Sequence, residues 1–116
     1  MERVVALMDD LFFQMKLAET AKHLGLEVKV AANYDGLAPL LEPPPRLLIV
    51  DLNSRSGPVA VIERIRATKN GLRIVGFLSH VQVELAQQAR AAGCDEVLPR
   101  SAFTKNLAEI LSAAKG

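Results

Sequence analysis

The 116-residue chain has one cysteine, no block of like charge and no long apolar run, and each shortage removes a class of function. The single thiol, Cys94, excludes an internal disulfide and any cysteine-based zinc cluster, and reads as a small apolar residue. Fourteen basic and thirteen acidic side chains are interspersed. That leaves no electrostatic footprint for nucleic acid or an anionic membrane, so recognition must rest on a local site. No stretch reaches the roughly 18 apolar residues of a membrane span, and the start, MERVVALMDD, meets two aspartates too early for a signal peptide. The expected location is the cytoplasm. The length suits a single domain over residues 1–116, with a real core and no fused output domain.

What is present is a regular alternation. Apolar runs at Val4–Met8, Leu47–Val50 and Leu72–Leu78, with weaker ones at Leu26–Ala32 and Glu96–Pro99, predict strands. Between them, helical spacing covers Leu11–Leu24, Gly36–Leu41, Pro58–Thr68, Val81–Ala92 and Phe103–Ala114. Gly25, Gly71 and Gly93 fall at helix ends and Pro58 near a helix start, while Pro43-Pro44-Pro45 breaks the chain before the third strand. Five such βα units predict an α/β fold of the flavodoxin-like type, a five-stranded parallel sheet between two helical layers. The continuous apolar runs of strands one, three and four place them centrally. Lys29 in the second strand and Pro99 in the fifth mark edges, so the expected order is 2-1-3-4-5.

In sheets of this kind ligands bind beyond the carboxyl ends of the strands, near the point where strand order reverses. Those ends carry Asp9-Asp10, Asp51, Ser79-His80 and Arg100. Each has a structural explanation: Asp9 or Asp10 as a helix cap, Asp51 as a turn former, and Ser79 with Gln82 as an S-x-x-Q capping box. Together, though, three carboxylates repel one another unless a cation or Arg100 offsets them. A hard divalent cation such as Mg2+ takes oxygen ligands, and Asp51, one or both of Asp9 and Asp10, and the carbonyl of Asn53 are the candidates. With such a metal, Asp51 becomes a candidate nucleophile toward a phosphoryl group, its charge met by the metal, the Ser79 hydroxyl and Arg100.

The segments MDD (8–10), IVDLN (49–53), FLS (77–79) and AGCDEVLPR (92–100) resemble, in order and spacing, those of response-regulator receiver domains of the chemotaxis-regulator type. The resemblance implies that Asp9 and Asp10 form the metal-binding acidic pair, with Asp51 as phosphoacceptor, Ser79 as the conserved hydroxyl and Arg100 in the place of the family's lysine. A sensor histidine kinase or phosphotransfer protein and a separate output protein are the partners it implies. The sequence departs from the family at several points. Arg100 replaces a slim ammonium with a planar fork. Proline precedes it as Pro99 where the family has a following proline, usually in a cis bond, so the loop is expected to differ and Arg100 to point away from Asp51. His80 follows the hydroxyl position, Val97 holds the aromatic switch position, and SRSGP replaces the usual loop after the acceptor.

Two readings stay open within that fold: a phosphoaccepting receiver, and an atypical receiver that works by docking without phosphorylation. A small flavin or nucleotide enzyme is a third, disfavoured because DDLFF puts two anions where a phosphate-binding loop needs backbone donors. A phosphohydrolase using Asp51 to Asn53 would lack an insertion to close over its substrate. Of the consecutive Leu11, Phe12 and Phe13, one is expected to be exposed beside the acidic rim as a docking patch. Arg55, Arg64, Arg66 and Arg73 read as a solvated basic sprinkling, and His23 as a surface residue.

Overall fold

The computed structural model describes residues 2–68, 71–79 and 82–115. Five short strands, β1 (Arg3–Leu7), β2 (Glu27–Ala31), β3 (Leu47–Asp51), β4 (Ile74–Leu78) and β5 (Glu96–Pro99), form one parallel sheet in the order β2-β1-β3-β4-β5. Strands β3 and β4 are buried at every position, as continuous apolar runs covered on both faces must be. At the edges, β2 alternates exposed and half-buried positions around Lys29, and β5 ends in an exposed Pro99. The sequence-based strand order and edges therefore hold.

Helices α1 (Leu11–His23), α5 (Arg100–Lys105) and α6 (Leu107–Ser112) cover one face. There Phe13, Leu17, Phe103, Leu107 and Leu111 pack with Val4, Ala6, Ile49, Val75 and Phe77 of the sheet. Helices α2 (Tyr34–Leu37), α3 (Pro58–Arg66) and α4 (Val83–Ala92) cover the other, where Val61, Ile62, Ile65, Ala86 and Ala89 meet Val5, Leu7, Leu48, Val50 and Ile74. Burying side chains of this size stabilises the fold by about 1.5–3 kcal/mol each before chain entropy is subtracted.

Three expectations are corrected. The second helix is one α-turn followed by a 3-10 turn over Ala38–Leu41. It starts earlier than its apolar spacing suggests, because the Asn33 side chain accepts from the Gly36 N–H as an N-cap. The last helix is two pieces that part at Asn106 (φ −103°, ψ 16°), and it begins at Arg100 instead of Phe103. Pro99, with φ −59° and no N–H to satisfy, is already set for a helix entry, so β5 passes into α5 with no loop between. Arg66 is no solvated charge. Its Nε donates to the Gly93 carbonyl at 2.8 Å, Nη1 to the Leu72 carbonyl and Nη2 to Asp95 Oδ2 at 2.8 Å, pinning the end of α3 to the segments entering β4 and β5. Arg64 stacks 3.9 Å over the Tyr34 ring.

Candidate functional site at the carboxyl ends of the strands

Parallel register aligns the strand ends: Leu7 pairs with Val50, Asp51 with Phe77 and Leu78 with Pro99. The residues that follow those ends therefore share one rim. Asp51 is the last residue of β3 and only 3% exposed. Its Oδ1 accepts from the Asn53 N–H at 2.9 Å, a local turn through the side chain, while Oδ2 faces Nη2 of Arg100 at 3.6 Å. Arg100 reaches the site after all, because α5 begins on it. Its Nη1 donates to Asp10 Oδ2 at 3.3 Å, so one guanidinium spans two carboxylates. Asp10 is also the N-cap of α1, its Oδ1 accepting from the Phe13 N–H at 3.1 Å.

Asp9 lies on the outside of the rim. Its Oδ2 accepts from the Arg55 N–H at 3.2 Å and stands 3.8 Å from the Arg55 Nε, tying the end of β1 to the loop after β3. That loop turns through Gly57, whose positive φ of 67° suits glycine, and delivers Pro58 to the first position of α3. Ser79 is exposed, and its hydroxyl donates to Asn53 Oδ1 at 3.4 Å, not to Asp51. The Ser79 N–H donates to the same oxygen at 3.0 Å and to Gln82 Oε1 at 3.2 Å. Gln82 Oε1 also accepts from Asn53 Nδ2 at 2.6 Å, so Asn53, Ser79 and Gln82 form a small amide network across β3 and β4. This is half of the expected capping box: the helix starts only at Val83, and Ser79 does not cap it. His80, which follows the hydroxyl position, lies outside the described residues.

The support beneath Arg100 was not foreseen. Its guanidinium carbon lies 5.2 Å from the ring centroids of both Phe13 and Phe77, which stack on each other at 4.9 Å. Phe77 stacks in turn on Phe103 at 4.6 Å. The sequence offers one clue, Phe13 three residues after Asp10; that Phe77 pairs with Asp51 is a matter of sheet register.

The arrangement bears on the expected metal. Asp10, Asp51 and Asp9 each already accept from a protein donor, and among the described residues no three His, Cys, Asp or Glu side chains are grouped to hold an ion. Arg100 stands between Asp10 and Asp51, two of the side chains named as Mg2+ candidates together with Asp9 and the Asn53 carbonyl. Arg100 brings one positive charge of the chain to this rim.

Burial holds the Asp51 carboxyl above its ordinary range; the Asn53 N–H and Arg100 pull it back, and Asp9 and Asp10 add to the rise. Asp10 is held below its ordinary range, chiefly by the Phe13 N–H, against some desolvation and with help from Arg100. The two act oppositely on stability. For Asp51 the native state keeps a proton that the unfolded chain releases, so stability falls as pH rises from about 3.9 through its raised pKa. For Asp10 stability is present above the ordinary value and is lost as pH falls through its lowered one. Asp51→Asn keeps an acceptor for the Asn53 N–H and removes a desolvated anion. It should melt about 2–5 °C above wild type at pH 7, the gap closing toward pH 4. Circular-dichroism melts across that range check this; a mutant less stable at pH 7 would show that the Arg100 pairing outweighs the desolvation.

No family sequence model matches the chain, and a search of curated proteins finds no sequence relative. Solved structures do match. The chemotaxis response regulator CheY4 of Vibrio cholerae superposes with a TM-score of 0.82 at 21% identity, over 98% of each chain. The receiver domain of NtrX from Brucella abortus gives 0.77 at 20% identity, covering 94% of this chain and 97% of that one. The chain has the response-regulator receiver fold. Against the longer NtrX chain from the same organism, the present chain covers 27% of the length, with a TM-score of 0.78 at 20% identity. Beyond the rim, apolar side chains are exposed at the start of α1. Two residues of the Leu11-Phe12-Phe13 run are exposed instead of one, Leu11 (72%) and Phe12 (87%), and Met15 extends the patch along α1. Phe13 alone turns inward. Val97 is buried in the core, and a groove of about 220 Å³ runs between α4 and β5 above it. No helix among the described residues is long and apolar enough to cross a membrane.

Proposed function

We propose that the protein is a two-component signalling receiver in the cytoplasm, not an enzyme in its own right, which accepts a phosphoryl group on Asp51. The donor is a sensor histidine kinase or phosphotransfer protein, and the output is a changed contact with a separate protein. The observation that carries this is the carboxylate at the end of a central strand, with Oδ1 fixed by the Asn53 N–H and Oδ2 facing a guanidinium beyond hydrogen-bond range. Oδ2 is thus oriented with free lone pairs. In the reaction it attacks phosphorus, an O–P bond forms, and the P–N bond of the donor phosphohistidine breaks with its electron pair left on the imidazole nitrogen, which then takes a proton.

Arg100 supplies the countercharge. As negative charge spreads over the phosphoryl oxygens, its fork can exchange a carboxylate for a phosphoryl oxygen, a pairing that suits a planar guanidinium. Ser79, tethered to Asn53, stands at the next strand end as a hydroxyl donor. Because Arg100 is the first residue of α5, any re-pairing acts on that helix directly. The exposed patch of Leu11, Phe12 and Met15 borders Asp10, and we place the phosphodonor protein there.

A second reading, a phosphorylation-independent docking module, is favoured by one observation: each carboxylate of the rim already accepts at least one hydrogen bond from the protein. Acetyl phosphate with intact-mass spectrometry separates the two. Wild type should gain one phosphoryl group as an alkali-labile acyl phosphate, and Asp51→Asn should gain none. A wild-type chain that stays unmodified while folded would leave the docking reading.

A further inference from the structure

We propose that Arg100 is the resident cation of the acidic rim: seated on Phe13 and Phe77, bonded to Asp10 and facing Asp51, it excludes a divalent ion from the resting protein. The inference concerns the same site as the function proposed above. It does not depend on phosphoryl acceptance, because cation occupancy can be read with no phosphodonor present.

Three observations carry it. First, the contacts of Arg100 divide between the two faces of its function. One nitrogen donates to Asp10 and another faces Asp51, the two carboxylates that a shared metal ion would have to join. A metal joining those oxygens would have to compete with the guanidinium for them. Second, the guanidinium is held from behind. Both Phe13 and Phe77 lie within cation–π distance, and these rings belong to a buried stack that continues to Phe103, so the shelf is part of the core and not a surface accident. A lysine ammonium has no planar face to lay on such a shelf, so arginine at this position is a different device from the slimmer cation. Third, Arg100 has no loop in which to swing. It follows β5 directly and opens α5, which fixes its Cα against the sheet.

The physical consequence is competition. A guanidinium stays protonated throughout the physiological range, and its tether to the chain keeps it at the rim whatever the concentration of ions in solution. A hydrated divalent ion must displace it from two carboxylates and from its aromatic seat, and must also shed water to do so.

The test is a Mn2+ titration of the full chain followed by loss of amide NMR signals through paramagnetic broadening. Mn2+ alone is the probe, since it shares the charge and oxygen preference of Mg2+. In wild type, amides near Asp9, Asp10, Asp51 and Asn53 should keep their intensity at concentrations that erase them in Arg100→Ala, where affinity should be about tenfold higher or more. Arg100→Met keeps a stem to lie on Phe13 and Phe77 without the charge, and should behave like the alanine variant if that one folds poorly. Arg100→Lys, retaining charge without the fork, should fall between. Wild type broadened at the same concentration as the folded alanine or methionine variant would overturn the proposal, as would a failure of both variants to bind. Neither result bears on whether acetyl phosphate modifies Asp51, so the two proposals fail separately.

Discussion

Phe77→Ala should lower the melting temperature by about 10–20 °C and loosen Arg100 at the same time. Phe77 is fully buried on β4 and stacks on Phe13 at 4.9 Å and on Phe103 at 4.6 Å. Removing a ring from such a position costs about 3–5 kcal/mol, the lost transfer free energy plus the cavity that a stiff sheet cannot close. Against a typical domain stability of about 5–15 kcal/mol, and at about 4 °C per kcal/mol, the expected fall follows. The effect also reaches the rim. Asp51 and Phe77 are parallel partners, so the void opens beside the buried carboxylate and beneath the guanidinium. Thermal melts measure the first consequence, and the Mn2+ titration the second: Phe77→Ala should bind the ion more tightly than wild type. Phe77→Leu, which refills most of the volume without an aromatic face, should recover much of the stability and little of the cation exclusion. A leucine variant that excludes Mn2+ as well as wild type does would remove the aromatic shelf from the account.

Arg66→Ala carries the second large effect, about 2–4 kcal/mol, or a fall in melting temperature of about 8–16 °C. Arg66 donates to two backbone carbonyls, Gly93 and Leu72, and to the Asp95 carboxylate, and its side chain is only 16% exposed. Asp95 Oδ2 accepts in turn from the Ile74 N–H at 2.7 Å, so the guanidinium is shared among the end of α3, the start of β4 and the turn into β5. Deleting it leaves two partly buried carbonyls unpaired, which costs more than the exposed Asp95 ion pair alone is worth. It also strips the cover from Gly93. That residue sits at φ +121°, and a Cβ there would come within 2.4 Å of the Arg66 side chain. Arg66→Lys should recover less than half of the loss, since an ammonium cannot reach three acceptors in one plane. Urea unfolding of both variants, with unchanged m-values, is the check. A loss below about 0.5 kcal/mol, the range of ordinary surface substitutions, would show that the three bonds are replaced by water without penalty.

The contrast between Arg66 and Arg100 shows where reading along the chain stops. Neither has its acidic partner nearby in sequence. Arg100 was singled out because it follows a strand end, a place that topology makes chemically meaningful. Arg66 closes a helix and looked like any basic residue in a last turn, and its three acceptors lie on segments 6 to 29 residues away. The same holds for Pro99. Its place before Arg100 suggested a loop turned away from Asp51, whereas its fixed φ starts the helix at once and brings Arg100 in. At α1 the apolar trio could not show which ring turns inward; the cap at Asp10 sets the helix phase, and Phe13 alone then faces the sheet.

Periodicity and punctuation by themselves determined the five βα units, their central and edge strands, and the rim at which Asp9, Asp10, Asp51, Ser79 and Arg100 gather. Those are consequences of local geometry: side-chain period follows from backbone dihedrals, and strand ends follow from where apolar runs stop. Only the tertiary structure decided which groups at the rim touch. It joined Arg100 to Asp10 and Asp51, turned Ser79 to Asn53 and Asp9 to Arg55, and laid the guanidinium on two buried rings. Contacts of that kind are set by register between strands and by the phase of each helix on the sheet, where one residue's shift exchanges one partner for another.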